Sequence, residues 1–160
     1  MIHAFGMLVM AATLIPAGLG QSGDGTGADL ATPADLGERL KDLRAKAEAG
    51  DGSASVTLHA YPNHYTMLAY RNRDGGGELH ERFADMFVVV EGRAVAITGG
   101  RLVDGHQSGS GEQRGTAVEG GSRQELNNGD ILHIPAGMPH QLLVAKGEHF
   151  AYYVVKVQEK

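Results

Sequence analysis

From Ser53 to the end of the chain, short apolar runs alternate with glycine-rich turns, and no helical pattern interrupts them. In the first run, apolar Val56 and Leu58 alternate with polar Thr57 and His59, as is typical of a half-buried strand. Roughly nine such runs follow one another, with a turn about every 8–12 residues. This pattern predicts an all-β domain over residues 53–160, built as an antiparallel sandwich or barrel.

The N-terminal 20 residues contain no Lys, Arg, Asp or Glu. Their apolar run, Ala4 to Ile15, is too short to span a membrane comfortably and is followed by Pro16 and small residues. The stretch predicts a secretory signal peptide over 1–20, and hence a periplasmic or secreted protein without stable membrane insertion. Because the stretch lacks a basic residue at its start, a start-site artefact and a membrane anchor remain as alternatives. Residues 21–31 are glycine-rich and polar, which predicts a flexible linker.

One helix is predicted over residues 32–50. Thr32 is suited to cap its N-terminus, and Pro33 to occupy the first helical position. The apolar residues form a single narrow stripe at i, i+4 and i+7, namely Leu36, Leu40 and Leu43. A helix with one such stripe is expected to pack across the outside of the β domain.

The run from Asp85 to Val90 is apolar on both faces. Phe87 and Val89 lie on one face, and the other face carries Met86, Val88 and Val90. A strand that is apolar on both sides needs cover on its outer face. The helix can provide part of that cover, and we expect a second copy of the chain to provide the rest, so a homodimer is predicted.

Composition excludes several classes of function. The chain has no cysteine, which rules out disulfides, thiolate metal sites and cysteine nucleophiles. The net charge is −5 and no basic stripe is present, so nucleic acid is not expected as a partner.

Two segments before residue 127 are rich in glycine. The segment from Gly105 to Gly115 is predicted to be the least ordered loop. Thr116–Val118 and Ser122–Leu126 flank Gly120–Gly121, which predicts a β-hairpin. Arg114 lies among these glycines, where it is either part of a solvated loop or a residue over the barrel mouth that binds an anionic substrate.

The stretch GDILHIPAGMPH, from Gly129 to His140, predicts a strand, a tight turn and the start of another strand. Pro135 ends the first strand because it has no amide hydrogen to donate. Pro139 stiffens the backbone just before His140. An imidazole held in this way at the mouth of a strand pair suits a metal ligand or an acid–base group.

This stretch resembles the second signature motif of the cupin superfamily. The matching positions are Gly129, Pro135, Gly137 and His140, whereas Val144 stands where the motif has asparagine. A second stretch resembles the first cupin motif through His80, Asp85 and Gly92. There, Glu78 replaces the first histidine, Asn72 replaces the opening glycine, and the acid is Asp in place of Glu. The resemblance covers roughly residues 54–157 and implies a jelly-roll barrel.

The resemblance implies a metal ion held by Glu78, His80, Asp85 and His140. Glu78 and His80 are two residues apart on an extended segment, so their side chains share a face. Two imidazoles with one or two carboxylates suit Fe(II), Mn(II), Ni(II) or Zn(II). Asp85 is one methylene shorter than the usual glutamate, so its contact with the ion is either direct or through water.

Two functions follow from such a site. The first is a metal-dependent enzyme that acts on a small molecule, with Glu78 or Asp85 as a possible base. The second is a non-catalytic module that binds a small ligand or a metal. His64 and Thr66 share a strand face and are candidates to line the pocket. The resemblance leaves the substrate and the reaction open, because cupins carry many chemistries.

Overall fold

The computed structural model of this protein describes residues 27–159. The predicted signal peptide over 1–20 and residues 21–26 of the predicted linker lie outside the described residues. Between residues 27 and 159, no helix is long and apolar enough to cross a membrane.

The described residues form one helix followed by strands, and more strands are present than the roughly nine predicted. In chain order the elements are α1 (Pro33–Ala49), β1 (Ser53–Ala60), β2 (His64–Arg71), β3 (Gly77–His80), β4 (Phe83–Gly92), β5 (Ala94–Thr98), β6 (Arg101–Val103), β7 (His106–Gly109), β8 (Glu112–Gly115), β9 (Ala117–Glu119), β10 (Ser122–Leu126), β11 (Ile131–Ile134), β12 (His140–Leu143) and β13 (Phe150–Gln158).

The strands build two main antiparallel sheets that enclose one interior. The first sheet has the order β1-β2-β13-β4-β11, and the second has the order β10-β5-β12-β3-β8-β7. Strands β6 and β9 pair with each other in a third, two-stranded sheet. This architecture confirms the predicted all-β jelly roll with one N-terminal helix.

The main core lies between the two large sheets. Phe87 and Val89 of β4 face this interior, as the alternation of that strand predicted, and they pack with Phe150 and Tyr152 of β13. Ile134 and other aliphatic side chains of β5, β11 and β12 complete the cluster. The apolar core fills one part of the interior and leaves the other part to polar side chains.

Helix α1 packs on the outer face of the first sheet, as predicted from its single stripe. Thr32 and Asp35 form a reciprocal capping box at its N-terminus. The buried Leu40, Leu43 and Ala47 contact a second apolar cluster on the outer side of β1, β2 and β13 that includes Leu58, Leu68, Tyr70 and Ala151.

An ion-pair cluster also holds the helix against the barrel. Arg44 donates from Nη2 to both carboxylate oxygens of Glu91, at 3.1 and 3.2 Å. The same carboxylate accepts from Nε2 of His149 at 2.9 Å, and the Arg44 guanidinium lies over the Tyr70 ring. Burial opposes ionisation of Glu91, but the hydrogen bonds from His149 and Arg44 outweigh it and lower the pKa of this carboxyl.

The region between residues 105 and 126 differs from the sequence prediction. The segment from Gly105 to Gly115, expected to be the least ordered loop, instead forms the β7–β8 hairpin, which extends the second sheet. The expected hairpin around Gly120–Gly121 is wrong, because β9 pairs with β6 while β10 pairs with β5. Turn-forming glycines were recognised correctly, but they join strands that belong to different sheets.

The outer face of β4 is only partly covered by the described residues. Met86 and Val88 are half-buried there, and the side chain of Ile131 on neighbouring β11 is 66% exposed. The homodimer stays a prediction.

We predict that Glu91→Gln loosens the docking of α1, because it removes the charge that Arg44 and His149 share. The free energy of unfolding should fall by about 1 kcal/mol at neutral pH, since the pair is partly solvated. Urea unfolding followed by circular dichroism measures the change. Glu38→Gln is the matched control, because Glu38 is an exposed helix residue whose one ion pair among residues 27–159 is with Lys41.

The difference in free energy of unfolding between wild type and Glu91→Gln should also depend on pH. Because the folded pKa of Glu91 is lowered, its contribution to stability is fully present above the ordinary glutamate pKa of 4.5. That contribution is lost as the pH falls from 4.5 through the folded value. The difference between wild type and Glu91→Gln should therefore shrink on acidification, and a difference that grew would contradict this assignment.

Candidate metal centre

Strand register in the second sheet brings five polar side chains onto one face. Glu78 of β3 lies directly opposite His140 of β12 on one side and Arg114 of β8 on the other. His80 lies directly opposite Glu112 of β8. Directly paired residues point to the same face of a sheet, and residues two apart on a strand do the same. The pairing therefore directs all five side chains to one face.

The first sheet contributes one further pair. Asp85 of β4 lies opposite Lys156 of β13, and the two side chains form an ion pair with 2.6 Å between Oδ1 and Nζ. Both point into the interior, as do their alternating neighbours Phe87 and Val154. Asp85 is only 2% exposed, so its charge is neutralised inside the barrel and not by solvent.

The two sheets meet at a cluster of donor atoms. One donor atom each from Glu78, His80 and His140 lies within 4.8 Å of the others. Nε2 of His80 is 3.6 Å from Oε2 of Glu78 and 3.5 Å from Oδ2 of Asp85. Nε2 of His140 is 3.7 Å from the same Asp85 oxygen. Asp85 therefore lies beside the group formed by Glu78, His80 and His140.

Both imidazoles are held through Nδ1 so that Nε2 faces the cluster. Nδ1 of His80 donates to Oε2 of Glu112 at 2.5 Å, and Nδ1 of His140 donates to the carbonyl of Met138 at 3.1 Å. In a neutral imidazole, a proton on Nδ1 leaves the lone pair on Nε2. Histidines that bind metals are oriented by the same kind of hydrogen bond from the other ring nitrogen.

The turn between β11 and β12 ties the two histidines together through the backbone. The amide of Gly137 donates to the carbonyl of His80 at 2.7 Å. Gly137 has φ of +74°, a conformation that favours glycine. The tight turn predicted from Pro135, Gly137 and Pro139 thus places His140 next to His80.

The donor set fits a divalent transition metal. Nε2 of His80 is buried and has no hydrogen-bond partner among residues 27–159, which is costly for a polar atom. The separations of 3.5–3.7 Å are too long for good hydrogen bonds. They are close to the roughly 3.4 Å that separates ligand atoms placed tetrahedrally around an ion at about 2.1 Å. Imidazole and carboxylate donors without sulfur suit Fe, Mn, Ni or Zn.

In both Glu78 and Asp85, one carboxylate oxygen pairs with a cation and the other faces the donor cluster. Oε1 of Glu78 pairs with Arg114 at 2.6 Å, just as Oδ1 of Asp85 pairs with Lys156. The second oxygen of each carboxylate faces the imidazoles. Burial acts to raise the pKa of Glu78, but the neighbouring charges, chiefly that of Arg114, outweigh that effect and lower the pKa overall. Glu78 is therefore ionised at neutral pH.

The His140 ring is neutral in this environment. Burial is the largest effect and lowers the pKa of His140, although the bond to the Met138 carbonyl and the charge of Asp85 oppose it. Metal binding requires a neutral imidazole, so the buried ring is in the form that can act as a ligand.

A cavity of about 510 Å³ adjoins the cluster. Its polar wall includes Glu78, His80, Asp85 and Glu112, and its apolar wall includes Met67, Phe87 and Val154. The volume lies within the range of small-molecule sites, about 300–1,000 Å³. The arrangement can therefore hold an organic molecule against the donor cluster.

The structure brings together the four residues that the sequence proposed as ligands, and it places the other candidates differently. Arg114 lines the cavity but is already paired with Glu78. His64 stacks on Tyr61, and Thr66 lies on the same face of β2 as Leu68, beneath the helix. The expected orientation of β2 is thus corrected, because the alternate residues, Tyr65, Met67, Ala69 and Arg71, line the cavity.

Sequence reasoning missed two residues of the site. Glu112 lies in the segment interpreted as a solvated loop, although Glu112 and Arg114 alternate with Gln113 as they would on a strand. Lys156 follows Tyr152 and Val154 with period two, so its inward position was available from the alternation of β13.

Comparison with known proteins gives matches at the level of structure. No protein-family model matches the sequence, and a search of curated proteins finds no significant match. KdgF from Halomonas sp. is similar with a TM-score of 0.50 and 15% identity, over 69% of this chain and 84% of that chain. The Cnp3 cupin domain of Schizosaccharomyces pombe is similar with a TM-score of 0.51 and 7% identity, over 67% of this chain and 65% of that chain.

The polyketide cyclase RemF from Streptomyces resistomycificus matches with a TM-score of 0.49 and 18% identity, over 66% of this chain and 65% of that chain. At such low identities, what the matches to KdgF and to the Cnp3 cupin domain establish is the fold.

We predict that Lys156→Met leaves the buried carboxylate of Asp85 without its counter-charge. The free energy of unfolding of the metal-free protein should fall by about 3 kcal/mol or more, as when one partner of a buried pair is removed. Urea unfolding measures the loss. Lys146→Met is the control, because Lys146 is exposed.

The double variant Asp85→Asn/Lys156→Met removes both charges and should recover much of that stability. If Lys156→Met costs no more than Lys146→Met, the ion pair is not what permits burial of Asp85.

Proposed function

We propose that this chain, which has the cupin fold, binds one divalent transition-metal ion through Glu78, His80 and His140 and acts on a small molecule in the adjoining cavity. The buried Nε2 of His80, which has no partner among the described residues, is the observation that carries the proposal. It lies between a carboxylate oxygen of Glu78 and one of Asp85.

The residues around the donor atoms have distinct tasks in this proposal. Glu112 and the Met138 carbonyl fix the orientation of the two imidazoles. Arg114 keeps Glu78 ionised, and Arg114 and Lys156 hold one oxygen of Glu78 and one of Asp85 away from the cluster. A bound ion of this type acts as a Lewis acid that polarises an oxygen atom of a substrate.

The electrostatics favour a second candidate function, a module that binds its ligand without catalysis. A general base works best when its pKa lies near the working pH. The pKa of Glu78 is lowered, and Asp85 is paired with Lys156, so each carboxylate is already engaged by a cation. On this alternative, protein ligands fill every coordination position of the ion, and the cavity captures a small molecule and releases it unchanged.

Metal analysis of the purified protein tests the proposal. Cells are grown with Fe, Mn, Ni and Zn, and bound metal is measured by mass spectrometry. The wild type should carry about one ion per chain. The metal content of His140→Ala should be about tenfold or more lower, because an imidazole ligand is removed.

The matched control is His133→Ala, which removes an exposed histidine of β11. It should retain the wild-type metal content. If wild type and His140→Ala have the same metal content, and circular dichroism shows that both are folded, His140 is not a ligand and the proposed site is wrong.

Water relaxation distinguishes the two candidate functions. An enzyme needs a coordination position that solvent or substrate can occupy, whereas a closed site fills every position with protein ligands. We expect the Mn(II)-loaded protein to increase the relaxation rate of water protons well beyond a Zn(II)-loaded control. An absence of this increase would favour the binding module.

Export and self-association complete the proposal. Export is supported only by the apolar and uncharged character of residues 1–20. A homodimer is supported by the partly covered outer face of β4. The N-terminal residue of the cell-derived protein and its mass by light scattering test these two statements.

A further inference from the structure

We propose that Arg71 is the anchor for a carboxylate group on the small molecule that occupies the cavity. The inference rests on the proposed function, because it specifies the chemical class of the small molecule that binds in the same cavity. Arg71 is the last residue of β2, and its side chain lines the cavity together with Glu78 and His80.

Arg71 differs from the two other cations of the cavity wall. Arg114 is paired with Glu78 and Lys156 with Asp85. Arg71 forms no ion pair with a carboxylate of residues 27–159, and its Nε atom is buried without a hydrogen-bond partner. A guanidinium that is largely withdrawn from water and lacks a counter-ion is costly, and an anionic ligand would offset that cost.

The surroundings of Arg71 hold the guanidinium in place and keep it charged. It lies beside the buried phenol of Tyr152. A Cβ atom on Gly75 would meet Nη1 of Arg71, so the glycine leaves the room that the guanidinium fills. Burial acts to lower the pKa of Arg71, but Tyr152 and the charge of Glu78 outweigh it and raise the pKa overall.

Arg71 also lies close to the donor cluster. A small void of about 20 Å³ is bounded by Arg71, Glu78, His140 and Tyr152. A void of this size is about large enough for one water molecule or one small polar group. A group bound by Arg71 would therefore lie next to the imidazole of His140 and not at a remote end of the cavity.

The charge balance favours an anion, and the carboxylates near Arg71 favour a singly charged carboxylate over a phosphate dianion. The three carboxylates of the cavity wall, Glu78, Asp85 and Glu112, are matched by the three cations Arg71, Arg114 and Lys156. A divalent ion would leave this wall with excess positive charge, which an anion can neutralise. A single negative charge that fits the planar fork of Arg71 meets less repulsion from the nearby carboxylates than a phosphate dianion.

The remaining wall indicates what carries the carboxylate. Met67, Phe87 and Val154 present apolar surface on the same cavity. We therefore expect an organic acid whose body is apolar or aromatic, with the carboxylate near His140 and the body against these side chains.

Calorimetric titration of the full chain with matched acids and amides tests the inference. The probes are benzoate, phenylacetate and 2-oxobutyrate, each compared with its neutral amide, and inorganic phosphate. At least one acid should bind about tenfold or more tightly than its amide, because a charge-assisted pair with Arg is replaced by a neutral contact. Arg71→Gln should abolish this preference.

Arg73→Gln is the matched control, because Arg73 is exposed and lies two residues away. It should keep the wild-type preference. Arg71→Lys keeps the positive charge but lacks the planar guanidinium, so it should retain a reduced preference for the acid over its amide. This result would show that the loss in Arg71→Gln is not caused by a folding defect.

The inference is overturned if no acid of the panel binds better than its amide, if Arg71→Gln keeps the preference, or if phosphate binds more tightly than every acid. Metal content is measured in the same samples. Metal-loaded protein without an Arg71-dependent preference would contradict this inference alone. An Arg71-dependent preference in a chain that binds no metal would contradict the proposed metal site alone.

Discussion

The register between neighbouring strands is the constraint on which the rest of this structure depends. Glu78 with His140, Glu78 with Arg114, His80 with Glu112 and Asp85 with Lys156 are all direct cross-strand pairs. A slip of one residue in any of these pairings would turn a whole set of side chains to the opposite face. The site is therefore mainly a property of sheet pairing, and the turn between β11 and β12, with Gly137 at a positive φ, adds the placement of His140 beside His80.

The paired cations explain how so much charge is buried at one place. Glu78 and Asp85 each have one oxygen that faces the imidazoles and another that is bound to Arg114 or Lys156. Burial of Glu78 and Asp85 with their partners is thus less unfavourable than burial of an isolated charge in this poorly hydrated interior. Arg71 does not pair with a carboxylate of the described residues. Arg114 and Lys156 therefore serve the structure, whereas we propose that Arg71 serves a ligand.

Local sequence patterns predicted the parts of the site that depend on a single strand or turn. The alternation around Phe87 directs Asp85 inward, and the turn before His140 positions its imidazole, so both were accessible from sequence. Glu112 and Lys156 act through their partners on other strands, and pairing between distant strands leaves little local signal. The orientation of His64 could not be decided because both faces of β2 are buried, one of them beneath the helix.

The position of β13 has a consequence for how the chain reaches its native state. It is the last of the described strands, yet it lies in the middle of its sheet, between β2 and β4. During synthesis, β2 and β4 emerge long before β13, and until then the edges that pair with β13 remain unpaired. Folding of the barrel is therefore expected to be a late and slow event governed by long-range contacts, and the nascent chain to need protection from aggregation until β13 is inserted.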